Sequence, residues 1–284
     1  MSQLPVATIT GLNIYPVKSC AGIALQQARL AETGFEQDRR WMLVKPDGYF
    51  VTQRELPRMA LIKPVLQDRG VMLTAPDMPP LRVSGLDQSR PREVAIWRDC
   101  CLAYDEGDEA AEWFSSFLQH PLRMVRFNDE RMRLSNRDWT GALRAPNQFS
   151  DGFPILVVSA ASLADLNSRL REPLLMNRFR PNIVIDGIDP YIEDNVDELR
   201  NGEVCLRLVK ACTRCKITTT NQATGEVEGD EPLLTLAKYR RNLRLKGVTF
   251  GYNAVIVIGE GSILRVGGKM LLTMQPEPDK PVAG

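Results

Sequence analysis

The first hundred residues hold short runs rich in β-branched residues, cut by glycine and proline at near-regular intervals. That pattern constrains the fold more than any other feature of the chain. Val6 to Val17, Arg40 to Lys45, Met59 to Leu66, Val71 to Ala75 and Val94 to Trp97 each read as a strand. Between them stand Pro46-Asp47-Gly48, Asp68-Arg69-Gly70, Ala75-Pro76-Asp77 and Pro79-Pro80, which are turn sequences. Many short strands at such spacing point to a barrel or sandwich. At 284 residues the chain has room for one or two domains and for a core that needs no staples.

Beyond residue 100 the periodicity changes. Ala110, Trp113, Phe114, Phe117 and Leu118 fall on one helical face, with Asp108 placed to cap it and His120 at its end. Residues 122–144 carry six arginines against three acids, which reads as a solvated loop or a local anion-binding surface. Phe153 to Ser159 reads as a buried strand. Ser162 with Asp165 forms a capping box for a helix through Leu170. Ile183 to Ile185, Val204 to Val209, Ile217 to Thr220 and Ala254 to Ile258 read as strands, and Leu233 to Arg241 as a helix. The expected class is therefore α+β and β-rich, with a boundary near residue 120.

Composition removes several functions. Thirty-six basic residues against 35 acidic ones give a net charge of +1, so there is no global basic field for nucleic acid. The sequence opens without a basic and apolar leader, and no apolar run is long enough to span a bilayer. Six cysteines in this length are not a disulfide framework, so a reducing, cytoplasmic setting is expected. A single histidine excludes a His-rich zinc site, and any Ser-His or Cys-His triad would have to use His120.

The most informative stretch is Cys212-Thr213-Arg214-Cys215, and four readings compete for it. Zinc would need a second pair, and Cys100-Cys101 is adjacent rather than spaced. A thioredoxin-like dithiol would sit at a helix N-terminus, whereas β-branched residues follow here. The two cysteines also read as small buried hydrophobes. The fourth reading is one reactive thiolate at Cys215, flanked by Arg214 and Lys216, suited to act as nucleophile or soft-metal ligand. Lys18, Arg39, Arg180 and Arg214 each lie at a strand mouth, and would suit a phosphate or pterin anion if the fold gathers them. No Gly-x-Gly-x-x-Gly or phosphate-loop pattern precedes a helix, which leaves nucleotide binding by those routes unsupported.

Five motifs occur in order: Tyr-Pro-Val-Lys-Ser at 15–19, Asp-Arg-x-Trp at 38–41, Ser-Leu-Ala-Asp-Leu-Asn at 162–167, Phe-Arg-Pro-Asn at 179–182 and Cys-Thr-Arg-Cys at 212–215. Together they resemble the MOSC (molybdenum cofactor sulfurase C-terminal) family, in particular the group of amidoxime-reducing components. The resemblance spans nearly the whole chain. It implies an N-terminal MOSC-associated β-barrel domain over 1–120, a MOSC domain over 121–276 and a flexible tail over 277–284. It also implies a molybdenum cofactor (molybdopterin) whose metal takes Cys215. Cofactor contacts would come from Lys18, Ser19, Arg39, Arg180, Asn182, Thr213 and Arg214, with Asp151 an acid near the metal.

The resemblance has three departures. Some bacterial relatives append a [2Fe–2S] domain, but no cysteine follows Cys215 here, so electrons would come from a separate iron–sulfur, flavin or haem protein. The mitochondrial relative has a membrane anchor, and none is expected here. Arg265-Val266-Gly267-Gly268 replaces the more usual Arg-Val-Gly-Asp. The expected activity is a molybdenum-dependent oxidoreductase that reduces N-hydroxylated small molecules. Two rivals stand beside it: a sulfur carrier holding a persulfide on Cys215, and a cofactor-storage or insertion partner. An electron carrier would dock on the Arg-rich 122–144 segment or on the basic run from Lys238 to Lys246.

Overall fold

The computed structural model describes residues 5–275, so the tail expected over 277–284 lies outside the described residues. Seven strands close into a barrel, labelled in chain order β1 (Val6–Ile14), β2 (Ile155–Ser159), β3 (Ile183–Asp186), β4 (Val196–Asn201), β5 (Val204–Thr213), β6 (Gly247–Ile258) and β7 (Lys269–Met274). Around the barrel they run β1-β7-β4-β5-β6-β2-β3 and return to β1. All neighbours are antiparallel except β2 and β3, whose parallel pairing requires a crossover. Helices are α1 (Asp108–Leu118), the single turn α2 (Arg137–Thr140), α3 (Ala160–Ser168) and α4 (Leu233–Tyr239). Helix α3 supplies the crossover. The protein is thus α+β and β-rich, as the strand pattern predicts.

Side-chain alternation explains how β1 serves the barrel. Ala7 and Ile9 face the core, then Leu12 and Ile14 do so on the opposite parity. A bulge between Ile9 and Gly11 makes that change of phase possible. A Cβ at Gly11 would lie 3.3 Å from the Val184 side chain, so the crossing of β1 over β3 is close. Residues 6–35 therefore build the same core as the strands after residue 150: Ala28, Leu30 and Phe35 pack with Ile155, Ile183, Leu206 and Leu272.

The rest of the first half forms a second body. A four-stranded antiparallel sheet runs Trp41–Val44, Arg123–Phe127, Asp99–Asp105, Pro91–Ile96. Its first strand is buried on both faces, as the unbroken apolar run at 41–44 requires. Trp41 and Leu43 pack under α1 with Trp113, Phe114 and Phe117. Met42 and Val44 face the other way, onto Phe50, Phe127 and Phe149. The sheet therefore serves two cores at once.

Several local expectations are corrected. Gly107, not Asp108, is the N-cap of α1, and Asp108 pairs instead with Arg123. The N-cap of α3 is Ser159, whose Oγ accepts from the Ser162 amide; Ser162 itself bonds Glu193. Pro57–Leu61 is a 3-10 helix begun by its proline, and a strand follows only at Lys63–Leu66. Ile217 to Thr220 is not a strand. Lys216–Thr219 is a 3-10 turn, because the Thr218 and Thr219 hydroxyls bond back to the Cys215 and Lys216 carbonyls. The Arg-rich stretch is not simply a solvated loop. Arg123, Arg126 and Arg133 point inward to Asp105, Glu106 and Asp99, while Arg131, Arg137 and Arg144 are exposed.

Candidate functional site

Where β1 ends, the chain leaves the barrel and runs to the second body. Lys18 N donates to the Trp41 carbonyl at 2.7 Å, and Val17 bridges Trp41. A cleft lies at this junction. It is lined from the first half by Lys18, Ser19 and Arg39, and from the barrel half by Asp151, Arg180, Asn182, Thr213, Arg214 and Cys215. All nine residues singled out in the sequence thus meet in one place.

The backbone there is strained. Ser19 (φ 65°), Arg39 (φ 49°) and Arg180 (φ 56°) all occupy the left-handed region. None is glycine, and each such residue costs on the order of 1 kcal/mol or more. Hydrogen bonds hold them there: Gln53 Nε2 donates to the Ser19 carbonyl, Arg39 N to the Tyr15 carbonyl, and Arg180 N to the Asn177 carbonyl. These bonds fix the backbone that places Ser19, Arg39 and Arg180 along the cleft.

The cations are packed on aromatic and polar supports. The Arg39 and Arg180 guanidiniums lie 4.4 and 4.2 Å from the Tyr15 ring. Arg39 also pairs with Asp38 and donates to Asn182 Oδ1 at 2.9 Å. Asn182 is saturated: its Oδ1 also accepts from Leu156 N, and its Nδ2 donates to Asp38 and to the Asn13 carbonyl. It clasps Arg39 to the barrel and has no hydrogen-bonding capacity left over. Among the described residues the Arg180 side chain keeps one bond, from Nη1 to the Cys20 carbonyl at 2.7 Å. Burial brings Arg180 down to about 10 and raises Tyr15 to about 12.

Lys18 is buried, and its Nζ donates to the Phe149 carbonyl at 2.9 Å and to Asp151 Oδ1 at 2.6 Å. Burial lowers the lysine from its ordinary value, with Asp151 opposing. The Asp151 side chain is 67% exposed at the cleft mouth and also accepts from the Trp97 indole at 3.1 Å. Desolvation works upward on this carboxyl, but the Lys18 charge and hydrogen bond and the Trp97 bond outweigh it. Asp151 is held well below the usual carboxylate range.

The Cys-x-x-Cys segment begins where β5 pulls away from β6 through a bulge between Ala211 and Thr213. Cys212 is half-buried and its Sγ accepts from Arg214 Nη1 at 2.9 Å. Cys215 is exposed, at the mouth of the short 3-10 turn. Arg214 Nη2 donates to the Phe179 carbonyl at 2.7 Å, and its buried Nε has no partner among the described residues. The two cysteines are therefore unlike: one is tied to a guanidinium, the other faces the cleft.

Sequence reasoning missed Tyr15, Asp38 and Trp97. The first two lie inside motifs already noted, beside the residues chosen, and a buried support for paired arginines was the available signal. Trp97 carried none, since it reaches Asp151 across 54 positions. His120 is exposed beyond α1 and is not part of the cleft.

Comparison with known proteins bears on this site. A model of the MOSC N-terminal beta barrel domain matches residues 6–121, and one of the MOSC domain matches residues 144–270. The chain is 36% identical over 278 residues to mitochondrial amidoxime reducing component 2 of Homo sapiens, covering 92% of this chain and 82% of that protein. It is 39% identical over 251 residues to mitochondrial amidoxime-reducing component 1 of Mus musculus, covering 83% and 72%. For component 1 of Homo sapiens the values are 35% over 289 residues, 95% and 84%.

Proposed function

The chain belongs to the MOSC family, joining a MOSC N-terminal beta barrel domain to a MOSC domain, and on that premise we propose that it is a molybdenum-cofactor-dependent reductase of N-hydroxylated compounds. One observation carries the reading: an exposed Cys215 shares a cleft with Lys18, Arg39, Arg180 and Arg214. A soft thiolate suits molybdenum, and guanidinium forks suit the phosphate of a pterin cofactor.

The residues present fit such a group. Arg214 Nε is a buried donor without an acceptor, and Arg180 commits one bond to protein, so both have capacity for an anion. Cys215 would hold the metal, Arg180 and Arg214 the phosphate, and Asn182 would position Arg39 rather than touch the cofactor. When bound, the cofactor supplies the two-electron change and the acceptor for the oxygen removed. For a hydroxylamine the balance is R–NHOH plus two electrons and two protons giving R–NH2 plus water.

The chain's own contribution beyond binding centres on Lys18 and Asp151. Asp151 stays ionised at neutral pH and so acts as a hydrogen-bond acceptor, able to orient the N–H or O–H of a substrate at the mouth. Lys18 Nζ donates to that carboxylate and fixes its direction. Among the described residues nothing provides a second redox centre, so electrons would come from a separate iron–sulfur, flavin or haem carrier.

The test is turnover of an amidoxime by cofactor-loaded protein. NADH alone should give none. Adding a flavin reductase and an iron–sulfur or haem carrier should restore it, and Cys215→Ala should not respond. Turnover should fall with salt if docking is electrostatic, since the Debye length is about 8 Å at 0.15 M. Failure of every donor combination with cofactor present would favour the persulfide carrier.

A further inference from the structure

Beside the cleft lies a second hollow, of about 580 Å3, which shares Asp151, Gly152 and Phe153 with it. Its size is that of a small-molecule site. Its walls include Tyr49, Trp97, Trp139 and Phe153, four aromatic rings in one concavity. Tyr49 and Trp97 are each about two-fifths exposed, and together in one concavity they form a contiguous exposed apolar patch of the kind that marks a ligand groove.

The charges there are unbalanced. Asp99 is paired with Arg133 at 2.7 Å and Asp151 with Lys18, so both lining acids are neutralised within the protein. The lining cations Arg98 and Lys210 have no carboxylate within 4 Å among the described residues. Two more cations stand against the same rings without an acid: Arg54, 4.5 Å from the Trp97 ring, and Arg244, 4.7 Å from that of Trp139. Lys210 lies between two rings, its Nζ 5.0 Å from the Trp139 centroid and 5.9 Å from that of Phe153. The rings, rather than acids, hold these cations in place.

The placement of Lys210 follows from a backbone irregularity. In β5, Val204, Leu206 and Leu208 face the barrel core, and continued alternation would send position 210 inward as well. A bulge between Leu208 and Lys210 takes up one extra residue. Lys210 therefore leaves the core-facing series and lines the hollow. Bulges often re-aim a side chain next to a site.

We infer that this hollow binds the unreactive half of the substrate and selects for a planar arene bearing an anionic group, such as a carboxylate. The rings take the flat apolar body, Lys210 and Arg98 take the anion, and Asp151 at the shared wall faces the reacting nitrogen. The inference rests on the reductase reading for what happens in the cleft, but the selectivity of the hollow is a binding property and is testable without turnover.

Three probes of similar shape separate the claims: 4-carboxybenzamide (anionic), benzamide (neutral) and 4-(aminomethyl)benzamide (cationic), titrated into the full chain with tryptophan fluorescence as readout. Trp97 and Trp139 report on the hollow, since Trp41 and Trp113 are buried elsewhere. The anion should bind about tenfold tighter than the neutral amide, as one charge-assisted bond allows, and the para-ammonium probe weakest. Lys210→Gln should remove the preference, Lys210→Arg should keep it, and Trp139→Leu should weaken anion and amide alike. Equal affinity for the three probes, or a preference that survives Lys210→Gln, overturns the inference. So does a Lys210→Gln variant that binds arenes normally but loses turnover with a protein carrier, because the cations would then serve docking. With loaded enzyme, 4-carboxybenzamidoxime should show the lower KM at similar kcat. Reduction of benzamidoxime without any anion preference would sink the hollow's role alone. Anion preference without reduction of either amidoxime would sink the reductase reading alone.

Discussion

Two ion pairs, one inside the second body and one at the junction cleft, differ in environment. In the second body Arg126 and Glu106 pair at 3.0 Å with both side chains nearly fully buried. Glu106 also accepts from the Trp41 indole at 2.8 Å, and Arg126 donates to the Asp87 carbonyl. At the cleft Lys18 pairs with Asp151, but there only the lysine is buried and the carboxylate opens to solvent. A closed pair has its partners supplied internally and holds the fold. An open pair keeps acceptor capacity and is available to a ligand. Burial of both members, rather than the presence of a pair, separates structural charge from functional charge.

The contrast can be broken most strongly from the closed side. Arg126→Leu leaves Glu106 buried without its counterion and should cost about 3–5 kcal/mol in urea unfolding. Cofactor retention per folded chain should not change, and a parallel loss of retention would show that the two regions are not separable.

A smaller effect is expected at the cleft's own cations. The Arg180 side chain makes a single hydrogen bond among the described residues, so Arg180→Ala should weaken cofactor retention by roughly tenfold or more, the scale of one charge-assisted phosphate contact of about 1.5–3 kcal/mol. Dissociation of the pterin from the full chain measures this, and an unchanged off-rate would remove Arg180 from the cradle.

The smallest change in stability should come from the open pair. Asp151→Asn should cost on the order of 1 kcal/mol, less than Arg126→Leu, because the carboxylate is largely solvated and the buried Lys18 ammonium it leaves keeps the Phe149 carbonyl. Its folded pKa lies below the ordinary 3.8, so the charge contributes fully above that value and is lost as pH falls further. The cost should therefore be equal at pH 5 and pH 8 and shrink only in stronger acid. Unfolding curves at those three conditions decide it, and a cost that grows toward pH 8 would contradict the assignment.

What the sequence disclosed and what it hid follow the same physical division. Residues whose type is set by chemistry are legible: the cations and Cys215 stand in short motifs, Asp151 follows only from the family resemblance, and the fold brings them into one cleft. The apolar face of α1 was legible because Trp113, Phe114 and Phe117 recur at helical spacing. Features created by register were not. The bulge that turns Lys210 out of the barrel leaves no mark in composition, and the reach of Trp97 to Asp151 depends on the packing of two distant segments. Local hydrogen bonding also overrode propensity at Thr218 and Thr219, where a β-branched run closes a 3-10 turn instead of extending a strand.

The central claim is that the cleft holds a molybdenum cofactor through one thiolate, Cys215. The most direct measurement is the molybdenum content of protein purified natively from cells competent in cofactor synthesis, compared with Cys215→Ala and Cys212→Ala made alike. Cys212 is tied to Arg214 and Cys215 is exposed in the cleft, so the account predicts metal in the wild type, most of it in Cys212→Ala and none in Cys215→Ala. Equal loss in both variants, or no molybdenum in the wild type, would contradict it.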